Sequence, residues 1–224
     1  MPGHADTKRK PEKKFERRAE DRPGEILSAA RTLFERKGFT ATRTDEIAAA
    51  AGISKGTLFR YFADKEAMLV AIVETVQIPA KDRMVRLVQS FEPPFAPKLG
   101  ILAHTWYQMV QAEGIDGIPK MIMAEAGNFP DLTKLFKARL HDSIIGMLTT
   151  LIRRGVESGE FTCDDCDYSA RYLLGSLMFL GLWNNSIGKY ADDPMDAERY
   201  IGIWHKAACA HLGAPIPAAA EDDT

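Results

Sequence analysis

Apolar residues recur at spacings of three and four along most of the chain, which is the period of helices that bury one face. After Pro23 this period predicts a first helix that ends at Lys37-Gly38 and buries Ile26, Leu27, Ala30, Leu33 and Phe34. Beyond Pro79 it predicts helices near residues 80–91, 97–112, 118–127, 130–157, 167–188 and 194–212. The alternation typical of strands does not persist over a strand length anywhere in the sequence. The pattern therefore predicts an all-α fold.

Two short helices are predicted on either side of Gly52. Thr44 is a suitable N-cap for the first of them, and Ser54 is a suitable N-cap for the second. Helices of this length are marginal in isolation, so each must pack on longer neighbours. The first helix and a fourth one, capped by Asp64 and broken at Pro79, supply those neighbours. The arrangement predicts a helix-turn-helix with Gly52 in its turn.

The segment Ile26–Leu69 is similar to the N-terminal DNA-binding domain of the TetR family of bacterial transcriptional regulators. The matching motifs are Gly38-Phe39, Thr44, Ile47-Ala48, Ala51-Gly52-Ile53-Ser54, Thr57, Tyr61-Phe62 and Lys65-Glu66. Phe59 stands where the family commonly has tyrosine. It keeps an apolar contact, such as one to a thymine methyl, and loses the phenol hydroxyl. Residues 123–136 and 155–161 resemble, more weakly, the ligand-binding domains of the family.

The resemblance implies a ligand-responsive regulator, a repressor that a small, largely apolar effector releases from a palindromic operator. Together with this resemblance, the sequence predicts four parts of the chain: a disordered basic tail (1–19), a helix-turn-helix DNA-binding domain (20–80), a larger helical ligand-binding and dimerisation domain (81–213) and a flexible tail (214–224). It also implies a homodimer on double-stranded operator DNA, joined through the last two helices. We expect the fourth helix, Lys65–Val76, to transmit the effect of the ligand.

A helix in the major groove needs phosphate contacts that fix its register and base contacts that select the sequence. The resemblance and the predicted exposure give the candidate DNA-binding residues Thr44, Lys55, Gly56, Thr57, Phe59, Arg60, Tyr61 and Lys65. Thr44 and Lys65 suit the phosphate role, because helix-start amides and a lysine both favour an anion. Lys55, Thr57 and Phe59 suit the base-edge role. The alternative for each is an ordinary surface or packing residue.

The larger domain is rich in methionine and aromatic residues, which serve a core equally well or line an adaptable apolar pocket. The candidate pocket residues are Trp106, Met109, Met123, Phe179 and Trp183. The last two helices carry apolar faces that either complete the core of one chain or pair with a second copy. The candidate dimer residues are Leu173, Leu177, Leu180, Ile201, Trp204 and Ala208.

Composition and charge are those of an ordinary globular chain: of 224 residues, 46% are hydrophobic and 27% charged. The net charge of −2 hides an excess of cations in residues 1–23, with eight lysines and arginines against five acids. That stretch is either a solvated tail or an arm that touches phosphate. No apolar run is long enough to span a bilayer and no secretory signal opens the sequence, so we expect a cytoplasmic protein without a membrane partner.

No catalytic chemistry is indicated. Cys163 and Cys166 have the spacing of half a zinc site, but the sequence holds no second such pair, so no metal is predicted. It also lacks a glycine-rich phosphate loop, a nucleophile elbow and an HExxH motif, so neither an enzyme nor a cofactor is predicted. The rival interpretation is a helical protein-interaction module that uses the helix-turn-helix only as a scaffold.

Overall fold

The computed structural model describes residues 12–113, 117–193 and 195–215, with side chains from residue 21 onward except that of residue 113. Within these ranges the chain is helical and forms no strand. The α-helices are α1 (Glu12–Lys37), α2 (Thr44–Ala50), α3 (Lys55–Tyr61), α4 (Lys65–Ile72), α5 (Ile78–Gln89), α6 (Ala96–Glu113), α7 (Gly117–Glu125), α8 (Pro130–Phe136), α9 (Asp142–Glu157), α10 (Cys166–Asn184) and α11 (Ala197–His211). Two π-helical turns (Val73–Gln77 and Lys137–His141) and a 3₁₀ turn (Ile187–Tyr190) join them. The all-α prediction is confirmed.

The chain forms two compact units that divide between Ile72 and Val73. The sequence places this boundary after residue 80, because Pro79 is expected to break the fourth helix. In the structure Pro79 lies in the first turn of α5, where an N–H has no helical partner to lose. The division therefore precedes the proline.

The first unit is built on α1, which contacts α2 and α4, while α3 contacts α2. All five residues predicted to be buried on α1 are buried. Ile47 of α2, Leu58 of α3 and Met68 of α4 are fully enclosed as well. The two short helices are thus held by tertiary packing, as their length requires.

Both termini differ from the prediction where the structure describes them. Helix α1 begins at Glu12, so residues 12–19 are helical and the predicted disorder is wrong for them. This stretch consists mainly of strong helix formers, and α1 continues through Pro23 although proline disfavours the interior of a helix. Ala214, in the predicted C-terminal tail, is buried. Residues 1–11 and 216–224 of the two predicted tails lie outside the described residues.

The turn between α2 and α3 has the predicted glycine in a left-handed conformation. Gly52 has φ +65°. Its N–H donates to the carbonyl of Ala49 (3.1 Å), and the N–H of Ile53 donates to that of Ala48 (2.9 Å). These two bonds close the end of α2, a pattern that requires positive φ and therefore favours glycine. Ser54 then caps α3, because its Oγ accepts the N–H of Thr57 (3.1 Å), as predicted.

The start of α2 is one residue earlier than predicted. Arg43 occupies the N-cap position and Thr44 is the first helical residue. Glu46 reaches back to accept the backbone N–H of Arg43 at 3.2 Å. The Glu46 carboxylate thus satisfies the N–H of the N-cap residue, which is a different bond from the one expected of a Thr44 hydroxyl.

The second unit buries one continuous core drawn from α5, α6, α9, α10 and α11. Helix α10 packs on α9, and α11 packs on α6 and α10. Leu99, Leu151, Leu180 and Ile201 are completely buried in this core. The helices predicted beyond Pro79 are present, and the long one predicted at 130–157 is interrupted by a π-helical turn.

The segment that follows α9 makes two close contacts, one with the start of α6 and one with α9 itself. The carboxylate of Glu160 accepts the backbone N–H groups of Phe95 (2.5 Å) and Ala96 (2.6 Å), which places a negative charge at this helix N-terminus. Phe161 packs so closely on α9 that a Cβ at Gly155 would lie 2.1 Å from its ring. Only glycine fits at that position without movement of the ring.

Candidate DNA-binding surface and ligand cavity

Helix α3 has one buried residue, and most of its other residues are exposed. Leu58 is fully buried, whereas the side chains of Phe59 and Tyr61 are 45% and 39% exposed. Lys55 and Arg60 are also exposed. The Lys55 ammonium lies 5.8 Å from the centre of the Phe59 ring, one helical turn away. A cation and an aromatic ring therefore form a joint exposed surface at the start of the helix.

Thr57 belongs to the same face, but its polar groups are engaged within the chain. Its Oγ1 lies 2.9 Å from Ser54 Oγ, and its N–H donates to that oxygen. The hydroxyl pair still has lone pairs and one proton for an external partner. The sequence does not anticipate this pairing, although the spacing of a serine cap and a threonine three residues later permits it.

No contact with another described residue requires a glycine at position 56. A Cβ added there would meet only Ser54 Oγ, at the ordinary distance of 3.9 Å, and the backbone has no positive φ. Glycine in a helix costs about 0.5–1 kcal/mol relative to alanine. The residue thus leaves an exposed notch on α3 at some expense of helix stability.

Lys65 holds the loop before α2 together. Its ammonium donates to the carbonyls of Phe39 (2.9 Å), Thr40 (3.0 Å) and Thr42 (3.4 Å). It also lies 4.7 Å from the centre of the Phe39 ring. A lysine has three donors, and all three are used here. The predicted direct phosphate contact therefore has no donor left, and Lys65 instead fixes the segment that leads into α2.

Thr42 is a structural residue of this unit that the sequence analysis did not identify. It is buried, and its hydroxyl reaches the carbonyls of Gly38 (2.7 Å) and Leu33 (3.3 Å) at the end of α1. The Gly38 carbonyl lies just past the end of α1, where no helical donor is available to it. The one sequence signal for this role is a threonine four residues after the glycine that ends α1.

The carboxylates at the start of α2 are each paired with a cation. The guanidinium of Arg43 lies 3.1 Å from Asp45 and lowers the pKa of that carboxyl. The Lys37 ammonium lies 2.5 Å from Glu46 and, with the backbone N–H of Arg43, lowers the pKa of Glu46. The two acids are thus ionised at neutral pH and locally neutralised. Thr44 directly precedes these two acids and is half-buried. It therefore lies at a helix N-terminus whose acids do not leave a net negative charge.

The second unit contains an apolar cavity of about 120 Å³. Its wall is formed by residues of α5 to α10, by α11 and by both π-helical turns, and most of the lining side chains are aliphatic, aromatic or methionine. Gln77, Lys81 and His141 are polar members of the wall. Lys81 pairs with Asp82 at 2.7 Å and His141 lies 3.3 Å from Asp142.

Two of the five predicted pocket residues line this cavity. Trp106 and Met109 do, and both lie on α6. Met123 does not, because its neighbours Met121 and Ile122 take the buried side of α7 and leave it 59% exposed. The prediction is also wrong for the two aromatic residues of α10, since neither Phe179 nor Trp183 lines the cavity. At 100° per residue, both fall outside the arc of α10 that carries the lining residues Leu173 to Leu182. Their rings contact each other instead, with centroids 6.0 Å apart.

The six predicted dimer residues are already buried in the core of a single chain. They are Leu173, Leu177, Leu180, Ile201, Trp204 and Ala208, none more than 7% exposed. These side chains therefore complete the core of one chain, which is the alternative that their apolar faces left open; α10 is apolar on several sides, and spacing alone does not select the outward side. The outward face carries Tyr168, Tyr172 and Phe179 on α10 and Ile203 on α11, all largely exposed.

The cysteine pair and the two C-terminal histidines have local partners. Cys163 Sγ lies 3.3 Å from Ser169 Oγ, and burial raises the pKa of the Cys166 thiol. His205 contacts the Ala96 carbonyl (2.7 Å) and His211 contacts Ser169 Oγ (3.0 Å). Among the described residues, no three metal-ligating side chains converge on one point. In the same part of the chain, no helix has the length and apolar content needed to cross a membrane.

Two family models match the chain. One, described as bacterial regulatory proteins of the tetR family, matches residues 26–72 and so ends at the residue where the first unit ends. The other, described as the C-terminal domain of AefR-like transcriptional repressors, matches residues 97–200. Between them the two matches fall on both units.

Individual proteins resemble this chain over different lengths of their sequences. The HTH-type transcriptional regulator RutR of Escherichia coli K12 is 38% identical over 76 residues, so the chain spans 34% of the length of that relative. UidR of the same organism is 28% identical over 141 residues, which are 62% of this chain and 68% of UidR. A crystal structure of a regulator from Mesorhizobium loti is 22% identical with a TM-score of 0.67, covering 86% of this chain and 97% of that one. The likeness to the Mesorhizobium loti structure shows a shared fold alone.

Proposed function

The chain belongs to the TetR family of bacterial transcriptional regulators, and on that premise we propose that it is a repressor which binds a palindromic operator as a homodimer. A small, largely apolar effector that enters the cavity of the second unit releases it. The observation that supports DNA binding most directly is the exposed face of α3, presented by a helix-turn-helix whose turn is closed at Gly52. Action on operator DNA places the protein in the cytoplasm.

The residues of the α3 face divide into two roles. Lys55, Thr57 and Phe59 read base edges in the major groove, the first two through polar groups and the third through an apolar contact such as a thymine methyl. Arg60 and Tyr61 lie further along the helix and contact either bases or phosphates. The N-terminus of α2 at Thr44 contacts a phosphate. Lys65 acts indirectly, through the loop that it holds.

Dimerisation follows from the size of the reading element. Helix α3 has 7 residues and is therefore about 10 Å long, enough to contact only a few base pairs. Two copies about 34–36 Å apart read both halves of a palindrome. The proposed dimer surface is the outward face of α10 and α11, with Tyr168, Tyr172, Phe179 and Ile203.

Glycines support this choice of surface. Gly175 lies on the same side of α10 as Tyr168, Tyr172 and Phe179, and a Cβ added to it would have nothing within 4 Å. A Cβ added to Gly202 on α11 would also have nothing within 4 Å. Exposed aromatic residues grouped with open glycines suit close helix packing between two copies. Tyr172→Glu and Phe179→Glu should each shift sedimentation in the ultracentrifuge towards monomer, whereas Met123→Glu on α7 should leave it unchanged. Dimers that resist both substitutions would contradict this surface.

The ligand acts by favouring one of two states. Because an effector shifts an equilibrium only as far as its affinity differs between states, release requires a conformer in which operator binding and the filled cavity are incompatible. We place the link in the fourth helix of the prediction, Lys65–Val76, which the chain enters after α3 and leaves before α5. Distances between spin labels on the two α3 helices test this link. Equal distances in operator-bound and effector-bound protein would refute it.

The experiment for DNA binding starts from the purified full-length protein. Selection from random duplexes yields a site, and fluorescence anisotropy then measures affinity for it across a salt series. We expect a Kd of about 10⁻⁸ M or tighter at physiological salt and a steep decrease with salt. Lys55→Ala and Thr57→Ala should weaken binding. Lys189→Ala, which removes an exposed lysine of the second unit, should change it little.

The rival function makes a different prediction for the same measurement. A protein-interaction module would yield no selected site, and its weak affinity for DNA would not respond to Lys55→Ala or Thr57→Ala. That result would overturn the regulator proposal and leave the helix-turn-helix as a scaffold.

A further inference from the structure

The cavity wall contains one buried polar atom that lacks a partner. Gln77 is only 3% exposed, and its side-chain oxygen Oε1 has no hydrogen-bond partner among the described residues. The same side chain lines the cavity, whose wall is otherwise mostly aliphatic, aromatic or methionine. The other polar lining residues noted above, Lys81 and His141, each have an acidic neighbour on the protein.

An unpartnered buried acceptor is unfavourable for the empty protein. Removing an amide oxygen from water without replacing its hydrogen bond destabilises the fold, and a leucine or methionine of similar volume would avoid the loss. Buried polar groups without partners are rare in folded proteins and call for an explanation. A donor on a bound molecule provides one once the side chain turns this oxygen, which has almost no accessible surface here, into the cavity.

The place of Gln77 in the chain gives such a contact a consequence. It is the last residue of the π-helical turn Val73–Gln77, the first segment of the second unit and the one that follows α4 in sequence. Single π-helical turns within helical segments occur frequently at functional sites. A hydrogen bond to Gln77 would act directly on this turn.

We infer that the cavity binds a small, largely apolar molecule that carries a hydroxyl or N–H group, and that this group donates a hydrogen bond to Gln77 Oε1. The inference rests on the proposed function, because it takes the cavity to be the effector site. It adds that the effector must be a donor: a pure hydrocarbon leaves the oxygen unpartnered, and an acceptor-only group such as a carbonyl brings two oxygens together.

Cavity size narrows the ligand further. An engineered apolar cavity of about 150 Å³ accepts benzene. At about 120 Å³ this cavity is slightly smaller, so one aromatic ring is near the limit of what enters without movement of the wall. Methionines in the wall adapt their shape more readily than branched side chains and permit some expansion. Phenol, toluene and benzaldehyde are therefore suitable probes, since they share one ring and differ in polar group.

The test measures the affinity of the three probes for the full-length protein by calorimetry. The wild type should prefer phenol to toluene and to benzaldehyde. Gln77→Leu and Gln77→Met should lower the ratio of phenol affinity to toluene affinity by about three- to tenfold, the worth of one hydrogen bond. Both variants should also raise the unfolding temperature of the empty protein. Gln108→Leu, which alters an exposed glutamine of α6 outside the wall, should change neither the ratio nor toluene binding.

Each other result overturns the inference in a recognisable way. If toluene and phenol bind with a ratio that the Gln77 variants do not alter, the donor contact is wrong and the cavity still stands as an effector site. If benzaldehyde is preferred, the amide presents its N–H groups and the ligand is an acceptor. If no probe binds at millimolar concentration, both the ligand class and the effector role of the cavity fail, whereas the outcome of the operator selection is independent of all three.

Discussion

Substituting Gly56 by alanine should raise the stability of the protein and weaken its binding to the operator. The position is exposed, has an ordinary helical backbone and offers a new Cβ only one contact, at 3.9 Å from Ser54 Oγ. Alanine should therefore fit without strain. Since glycine in a helix costs about 0.5–1 kcal/mol relative to alanine, the free energy of unfolding should increase by up to that amount.

For operator binding, we expect Gly56→Ala to have the opposite, unfavourable effect. If α3 lies in the major groove with Gly56 against the sugar-phosphate backbone or a base edge, the added methyl group occupies space that the duplex needs. A displacement of the helix that loses one polar contact corresponds to about a tenfold loss of affinity, or 1.4 kcal/mol. A stabilising substitution that impairs function indicates that the original residue is retained for a partner and not for the fold.

The assay combines urea unfolding, followed by circular dichroism, with anisotropy on the selected operator. Gly146→Ala is the matched control, because Gly146 is an exposed glycine in α9 with nothing within 4 Å of an added Cβ. It should stabilise the protein to a similar extent and leave operator affinity unchanged. Gly56→Ala with wild-type affinity would refute the close approach of DNA to this notch, and a loss of stability would refute the open surface described here.

Three further predictions concern stability, each read from the urea midpoint. Gly155→Ala should destabilise by about 1–3 kcal/mol through the forced movement of the ring that packs there, in contrast to Gly146→Ala in the same helix, and equal effects of the two would contradict the packing. Thr42→Val should cost about 1–3 kcal/mol, because the carbonyls at the end of α1 lose their hydroxyl donor; a neutral effect would show that water replaces it. Glu160→Gln should cost about 1.5–3 kcal/mol at neutral pH, whereas Glu157→Gln, an exposed acid nearby, should have little effect, and similar small losses for both would rule out the helix-start contact.

The helix-turn-helix could be predicted from the sequence because its signals are local. A glycine that needs positive φ and a serine that caps the next helix stand within three residues of each other, at Gly52 and Ser54. Each is decided by the chemistry of one side chain acting on adjacent backbone. The exposed positions of α3 follow from the single buried Leu58 and a period of 3.6 residues.

The roles that could not be predicted depend on contacts between distant residues. The ammonium of Lys65 finds carbonyls that lie 23 to 26 residues away in the sequence, and no local pattern distinguishes that arrangement from a lysine directed at a phosphate. The same limit explains the dimer residues. Helix α10 is apolar on its inward and outward sides alike. Its sequence pattern therefore does not show whether Leu173 or Tyr172 faces a second copy of the chain, and only the packing of α10 on α9 decides this.

The cavity sets a quantitative condition on any effector of one-ring size. Even the most efficient small ligands gain about 1.5 kcal/mol per non-hydrogen atom, so a ligand of about seven such atoms has at most about 10 kcal/mol of binding free energy. Moving a two-state equilibrium from 1:99 to 99:1 requires a difference of about 5.5 kcal/mol between the states. More than half of the largest attainable affinity must then come from contacts that exist in only one state. A repressor that is fully released by such a ligand must therefore lose most of this cavity, and with it the contact to Gln77, when it binds its operator.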